Sequence, residues 1–203
     1  MEIIEVVATA HNGILNQKTY VLVKGKNAII IDAGAELEDV KKVVQNKKVL
    51  AVLITHSHFD HIWCIEDYLK EYIGKYFEIS ETAEKVYIGK DFPDEFTHGK
   101  DKTVLKGPNL KAKANAAQAV GELIQIAENK SMSEDFNEKH GDKAKYGWYR
   151  YDTRLALPIY NDEGEVQRYN IYKLRMLVRH DEDGKLYLYD FLRTKKETSS
   201  PLE

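Results

Sequence analysis

Cysteine occurs once in 203 residues, as Cys64, which excludes an internal disulfide framework and suits a reducing compartment. Proline is scarce too, with 4 residues, so no proline-rich linker divides the chain. No apolar run approaches the roughly 20 residues that cross a bilayer as a helix. The first ten residues carry Glu2 and Glu5 where a secretory signal carries lysine. Nor does one charge dominate: 30 Lys and Arg against 33 Asp and Glu leave a formal net charge of −3, with the signs interspersed. A global basic field is therefore missing, and a nucleic-acid partner needs a local patch. These absences read as a soluble, cytoplasmic chain with no membrane partner.

What is present starts with enough apolar residues, 43%, for one full core or two small ones. The most informative stretch is Thr55–His61, T-H-S-H-F-D-H, directly after the run Val49-Leu50-Ala51-Val52-Leu53-Ile54. That run predicts a buried strand, which delivers His56, His58, Asp60 and His61 together at its C-terminal end. Open α/β sheets place their chemistry there. Imidazole and carboxylate are the usual ligands of zinc or iron, and this spacing lets four donors converge within one loop. Cys64, just beyond, reads as a small buried residue on the next helix.

The stretch resembles the H-x-H-x-D-H signature of the metallo-β-lactamase superfamily. The resemblance implies that His56 and His58 bind one metal ion while Asp60 and His61 bind a second. The elements around it agree with the first half of that fold: strands at Ile3–Ala8, Tyr20–Val23 and Ala28–Ile31, a helix over Leu37–Val44, and a second over Ile62–Tyr72. Asp32, closing the third strand, is by resemblance the aspartate that buttresses the metal loop; its alternative role is to cap the following helix. After Tyr72 the family's later ligands are not recognisable. Only His98, His140 and His180 remain, and Asp190 ends a strand faintly like the one carrying a bridging aspartate.

The remainder predicts a hairpin of Tyr76–Ile79 and Lys85–Ile88, then a loop containing Pro93, His98, Gly99, Gly107 and Pro108. A helix over Lys111–Asn129 and an exposed polar connection to Lys145 follow. Three period-two stretches close the chain: Trp148–Pro158, Val166–Arg179 and Lys185–Arg193, an antiparallel meander. Arg150, Asp152 and Arg154 share one face, as do Lys173, Arg175 and Arg179, so one sheet face is cationic. An equally weighted alternative pairs those arginines with Asp152 and Asp190 on an ordinary half-exposed sheet.

This segment resembles a second family. The runs Y-I-G-K-D-F-P-D-E-F-T-H (87–98), K-A-K-A-N-A-A-Q (111–118), G-W-Y-R-Y-D-T-R (147–154) and the ending G-K-L-Y-L-Y-D…K-K-E-T-S-S-P-L-E are similar to phage-associated nucleases of the barnase-EndoU-colicin-RelE-like (BECR) superfamily. The resemblance implies metal-independent RNA cleavage, as in phage and toxin proteins, with a protein inhibitor as a possible partner. By residue type, His98 is the first acid-base candidate and His180 the second. Arg150, Arg154, Arg179 and Lys195 are phosphate contacts, Thr198 a hydroxyl donor, and Tyr151 or Tyr189 a stacking surface.

The expected fold class is α+β: residues 1–74 as a truncated half of the αββα metallo-β-lactamase-like layer fold, and 75–203 as a BECR-like helix plus antiparallel sheet. A truncated layer leaves sheet edge and apolar face uncovered, which favours packing on the rest or a homodimer. Three functions stay open: RNA cleavage without a metal, zinc-dependent hydrolysis with ligands recruited from His140, His180 or Asp190, and a non-catalytic nucleic-acid-binding module. The zinc site alone is incomplete at His56, His58 and His61.

Overall fold

The computed structural model describes residues 1–9, 16–56, 58–133 and 141–197, with the backbone alone described at 7–9, 16, 17, 59, 60, 133, 141 and 142. The chain divides into two compact units, Met1–Glu71 and Tyr72–Glu203. Helices and two sheets make a mixed α+β arrangement. Among the described residues no helix is long and apolar enough to cross a membrane.

In the first unit, strands β1 (Glu2–Thr9), β2 (Asn16–Lys24), β3 (Asn27–Ile31) and β4 (Lys48–Leu53) form one sheet in that order. β1, β2 and β3 pair antiparallel, and β4 joins β3 in parallel. The two-residue turn between β2 and β3 places Gly25 at φ +60, a conformation in which a side chain is strained. Alternation along β3 buries Ala28 and Ile30. With Val6, Val21 and Val23 these pack against Ala35 and against Val40 of helix α1 (Leu37–Val43). Each fully buried Val or Ile contributes about 1.5–3 kcal/mol.

β4 corrects one expectation. The apolar run before the histidines predicts a strand buried on both faces, yet Val49, Leu50 and Leu53 are 39%, 53% and 44% exposed. The sheet ends at β4, and the described residues place no strand on its outer edge. After the loop come two short helices, α2 (Phe59–Ile62) and α3 (Ile65–Lys70), where one helix was expected.

The second unit is built on a six-stranded sheet. Its strands are β5 (Tyr76–Glu78), β6 (Lys85–Ile88), β7 (Glu128–Ser133), β8 (Trp148–Tyr160), β9 (Val166–His180) and β10 (Leu186–Lys196), in the order β5-β6-β10-β9-β8-β7. The hairpin and the meander are where period-two patterning puts them. β10 also pairs β6 in parallel, which local patterning does not reveal. One face carries Tyr151, Thr153, Leu174, Met176 and Phe191, all buried. Helix α4 (Phe92–His98) packs on it through Phe92 and Phe96, whose rings lie 6.3 and 6.4 Å from that of Phe191.

The helices differ from expectation in three places. The predicted loop holds α4 and α5 (Lys100–Val104), because Pro93 sits in the first turn of α4, where its missing N–H has no cost. The helix expected over 111–129 is two helices, α6 (Gly107–Ala116) and α7 (Val120–Gln125), broken at Ala119 with φ −115. The polar stretch after it begins as strand β7, paired with β8. The break lets α7 approach β5 so closely that a Cβ on Gly121 would lie 2.4 Å from the Phe77 ring. Gly121→Ala is expected to cost about 1–3 kcal/mol through overpacking, read as a lower urea midpoint.

Candidate metal centre and a second candidate site

The metal loop is positioned by the end of β3. Asp32 adopts φ +65, a left-handed conformation that Asp tolerates better than most residues. The turn it starts is tied to the loop on both sides: Asp32 N–H donates to Leu53 O (2.7 Å), Ala33 N–H to His61 O (2.8 Å), and Cys64 N–H to Ala33 O (2.8 Å). Buried Thr19 supports it from β2, its hydroxyl donating to Asp32 O at 3.1 Å and accepting Ala35 N–H at 2.9 Å.

The Asp32 carboxylate is buried and fully occupied. Its Oδ1 accepts Thr55 N–H at 2.7 Å, its Oδ2 accepts the Thr55 hydroxyl at 2.8 Å, and Oδ2 lies 2.7 Å from His61 Nδ1. A carboxylate only accepts, so the shared proton sits on His61 Nδ1 and Nε2 carries the lone pair. Thr55 commits its single proton to Asp32, so at 3.0 Å from His56 Nδ1 its oxygen acts as acceptor. His56 is thereby held in the same tautomer as His61. One buried carboxylate thus orients His61 directly and His56 through one hydroxyl, the arrangement by which outer partners set metal-binding histidines. The three rings are close: centroids are 3.8 Å apart for His56 and His61, and 4.6 Å for His56 and His58. The donors, His56 and His58 ahead of α2 and His61 within it, are imidazoles of the type zinc takes. The side chain of Asp60, expected to bind a second metal, lies outside the described residues.

Cys64 is buried, and burial pushes its thiol up to about 12, so it stays protonated beside the loop.

In the second unit the candidates are spread over several elements. His98 is the last residue of α4 and not in a loop; its Nδ1 lies 3.1 Å from Asp94 Oδ1 and 3.0 Å from Thr97 Oγ1. Arg150 and Arg154 lie on β8, two strands from the β10 strand on which α4 packs. Arg154 is held by Glu128 and Glu197. Arg179, expected to meet phosphate, is buried between Asp91 (2.8 Å) and Asp181, so its charge is already compensated. Tyr151, expected to stack on a base, is fully buried with its hydroxyl donating to Glu84 at 2.9 Å. Lys195 lies exposed near the end of β10. Thr198 and His140 lie outside the described residues.

His180 ends β9 near the rings of Tyr146 (4.9 Å) and Tyr149 (5.9 Å), with its Nδ1 buried and without a hydrogen-bond partner among the described residues. It borders a cleft of about 460 Å³ that also takes in Tyr87, Lys130, Lys185 and Glu84. Lys130 stands 4.1 Å over the Tyr149 ring and is ion-paired to Glu84, whose carboxyl is held below its usual range by Lys130 and Tyr151 against the opposing effect of burial. Lys130, Tyr149 and Tyr87 escape sequence reasoning because they come from three strands that meet only in the folded sheet.

Residues 12–123 match the profile described as the metallo-beta-lactamase superfamily. The match continues past Tyr72, where the sequence reading ends the resemblance. Among curated proteins, the chain is similar to a Streptococcus pyogenes serotype M6 protein named "Probable metallo-hydrolase", 33% identical over 57 residues, 27% of this chain and 25% of that protein. It is also similar to a hydroxyacylglutathione hydrolase of Buchnera aphidicola, 38% identical over 47 residues, 23% of this chain and 19% of that protein. The chain thus spans a quarter or less of the length of these relatives. No solved structure matches it.

Proposed function

The chain belongs to the metallo-β-lactamase superfamily, and from that membership we propose that it is a metal-dependent hydrolase whose ion is held by His56, His58 and His61, with Asp60 completing the loop's donors. The observation that supports this reading is the Asp32–Thr55 clamp, which engages Nδ1 of both His56 and His61 and so assigns their lone pairs to Nε2. A zinc ion there supplies Lewis acidity and activates water near neutral pH. The protein's own part is positioning: Asp32 fixes the rings and Thr19 fixes the Asp32 turn.

The test is hydrolysis of a hydroxyacylglutathione, the substrate that the Buchnera relative's name gives, before and after chelation. Chelator and His58→Ala are each expected to reduce turnover about 100-fold, with zinc restoring only the chelated wild type. Undiminished turnover in the chelator contradicts the reading.

A second reading is favoured by the cleft at His180, where a histidine, three lysines and two tyrosines converge. It is metal-independent RNA cleavage of the BECR type by the second unit. His180 would exchange the proton of a ribose 2′-hydroxyl or of the leaving 5′-oxygen, with His98 as the alternative group, and Lys130 or Lys185 would balance the phosphorane charge. Cleavage of a fluorescent RNA in EDTA that falls at least 100-fold in His180→Ala supports it, and an intact substrate after prolonged incubation removes it.

A further inference from the structure

A second groove, of about 560 Å³, runs along β9 and β10 and is lined by Lys173, Arg175, Arg193, Lys195, Lys196 and Glu197. Five of those six residues are cationic, on a chain whose net charge is −3, so composition does not account for the concentration. Cross-strand register lines up Arg154, Lys173 and Lys195 over three neighbouring strands. Adjacent strands lie about 4.8 Å apart, so the row of charge is about 10 Å long.

Compensation is incomplete. Asp152 meets both Lys173 (2.8 Å) and Arg175 (3.4 Å), and Glu197 is engaged by Arg154. Among the described residues Arg193, Lys195 and Lys196 have no carboxylate within ion-pair distance. All three are exposed, and like charges so close destabilise the fold by mutual repulsion.

The backbone here is also built rather than incidental. Arg193 sits at φ +52, in a register break between Leu192 and Lys195, and Asp101 Oδ1 accepts its N–H at 2.9 Å. Asn109 Oδ1 accepts Lys196 N–H at 3.2 Å. Thr194 turns inward and is buried, leaving its neighbours outward. A non-glycine residue in the left-handed region is strained and persists where the surroundings hold it. Asp101 anchors Arg193 itself, and Asn109 anchors Lys196 further along the strand.

We propose that this groove binds successive phosphates along the backbone of a single-stranded nucleic acid. A single phosphate would need one cluster, whereas a row of cations across three strands matches a chain of phosphates. Among the described residues its lining is charged, with five cations, which suits contact with the phosphate backbone. The inference deepens the second reading above and rests on it only for the choice of nucleic acid.

Binding is tested with the full chain and a fluorescein-labelled 12-residue 2′-O-methyl RNA in EDTA, which cannot be cleaved through its 2′-oxygen. A failed nuclease reading and a failed groove are therefore told apart. Lys195→Glu/Lys196→Glu is expected to weaken binding at least 10-fold and to flatten the log-affinity against log-salt slope by about 1.4, roughly 0.7 per lost phosphate contact. Lys24→Glu/Lys26→Glu in the first unit, with the same charge change, is expected to leave affinity within 2-fold. Equal losses in the two variants, with both unfolding at the wild-type urea midpoint, overturn the proposal, as does inorganic polyphosphate binding 10-fold tighter than RNA at equal phosphate concentration.

Discussion

Asp32→Ala is expected to lower zinc affinity 10- to 100-fold and to destabilise the first unit by about 1–3 kcal/mol. Three interactions end on that carboxylate: the Thr55 backbone N–H, the Thr55 hydroxyl and His61 Nδ1. Removing it strands a part-buried N–H, frees Thr55 to rotate, and allows His56 and His61 to change tautomer. Alanine also suits φ +65 poorly, so part of the loss is backbone strain. Asp32→Asn separates these effects. Asparagine tolerates the left-handed backbone, so stability should largely return, but its amide presents one acceptor oxygen where the carboxylate presents two. Isothermal titration with zinc and urea unfolding of both variants check the account. Equal zinc affinity in all three proteins would contradict the clamp.

The second large effect lies in the second unit. Lys113 on α6 is 1% exposed, with its Nζ 2.8 Å from Asp190 Oδ2 and 3.4 Å from Asp101 Oδ2. One buried cation thus faces two carboxylates, and the Phe96 ring lies beneath it at 5.2 Å. Burial pushes the Asp190 carboxyl up to about 7, and Asp101 adds to the rise while Lys113 opposes it. Lys113→Met removes the cation paired with both carboxylates and is expected to cost about 3–5 kcal/mol, because Asp190 is then left buried without that counter-ion. Trp63→Phe is a suitable background, since it leaves buried Trp148 as the sole tryptophan reporting on this unit.

The same carboxyl predicts a pH dependence. Its folded pKa lies above its ordinary value of 3.8, so folding takes up a proton. The stabilisation is complete below about pH 4 and is lost as pH rises through 7, at up to about 1.4 kcal/mol per pH unit. Asp91 and Asp152, held low by Arg179 and Lys173, act oppositely: their stabilisation is present above about pH 4 and lost below it. Comparing wild type with Asp190→Asn between pH 4 and 7 isolates the first contribution. Stability of the wild type relative to the variant should fall as pH rises over this range; a difference that does not change with pH contradicts the assignment.

The metal loop is legible in the sequence because its donors lie within six residues and the spacing alone brings them together. Asp32 is legible only by resemblance, since nothing local says that a carboxylate 23 residues before Thr55 will receive its N–H. The exposure of Val49, Leu50 and Leu53 is not legible at all, because an apolar run reads the same whether or not another strand follows. His98 is misread as a loop residue because proline marks both loops and helix starts. The cationic face illustrates a further limit. Period two assigns Arg179 and Lys173 to one side correctly, but Asp91, 88 residues away, neutralises the first, and Lys195 arrives beside the second only through strand register.

The central claim is that His56, His58 and His61 form a metal site organised by Asp32. Zinc content of the purified chain by mass spectrometry, alongside His61→Ala and Asp32→Ala prepared identically, tests it most directly. The account predicts a stoichiometric ion in the wild type and a several-fold lower content in both variants. A wild type free of metal after zinc supplementation, or equal content in all three, would contradict it.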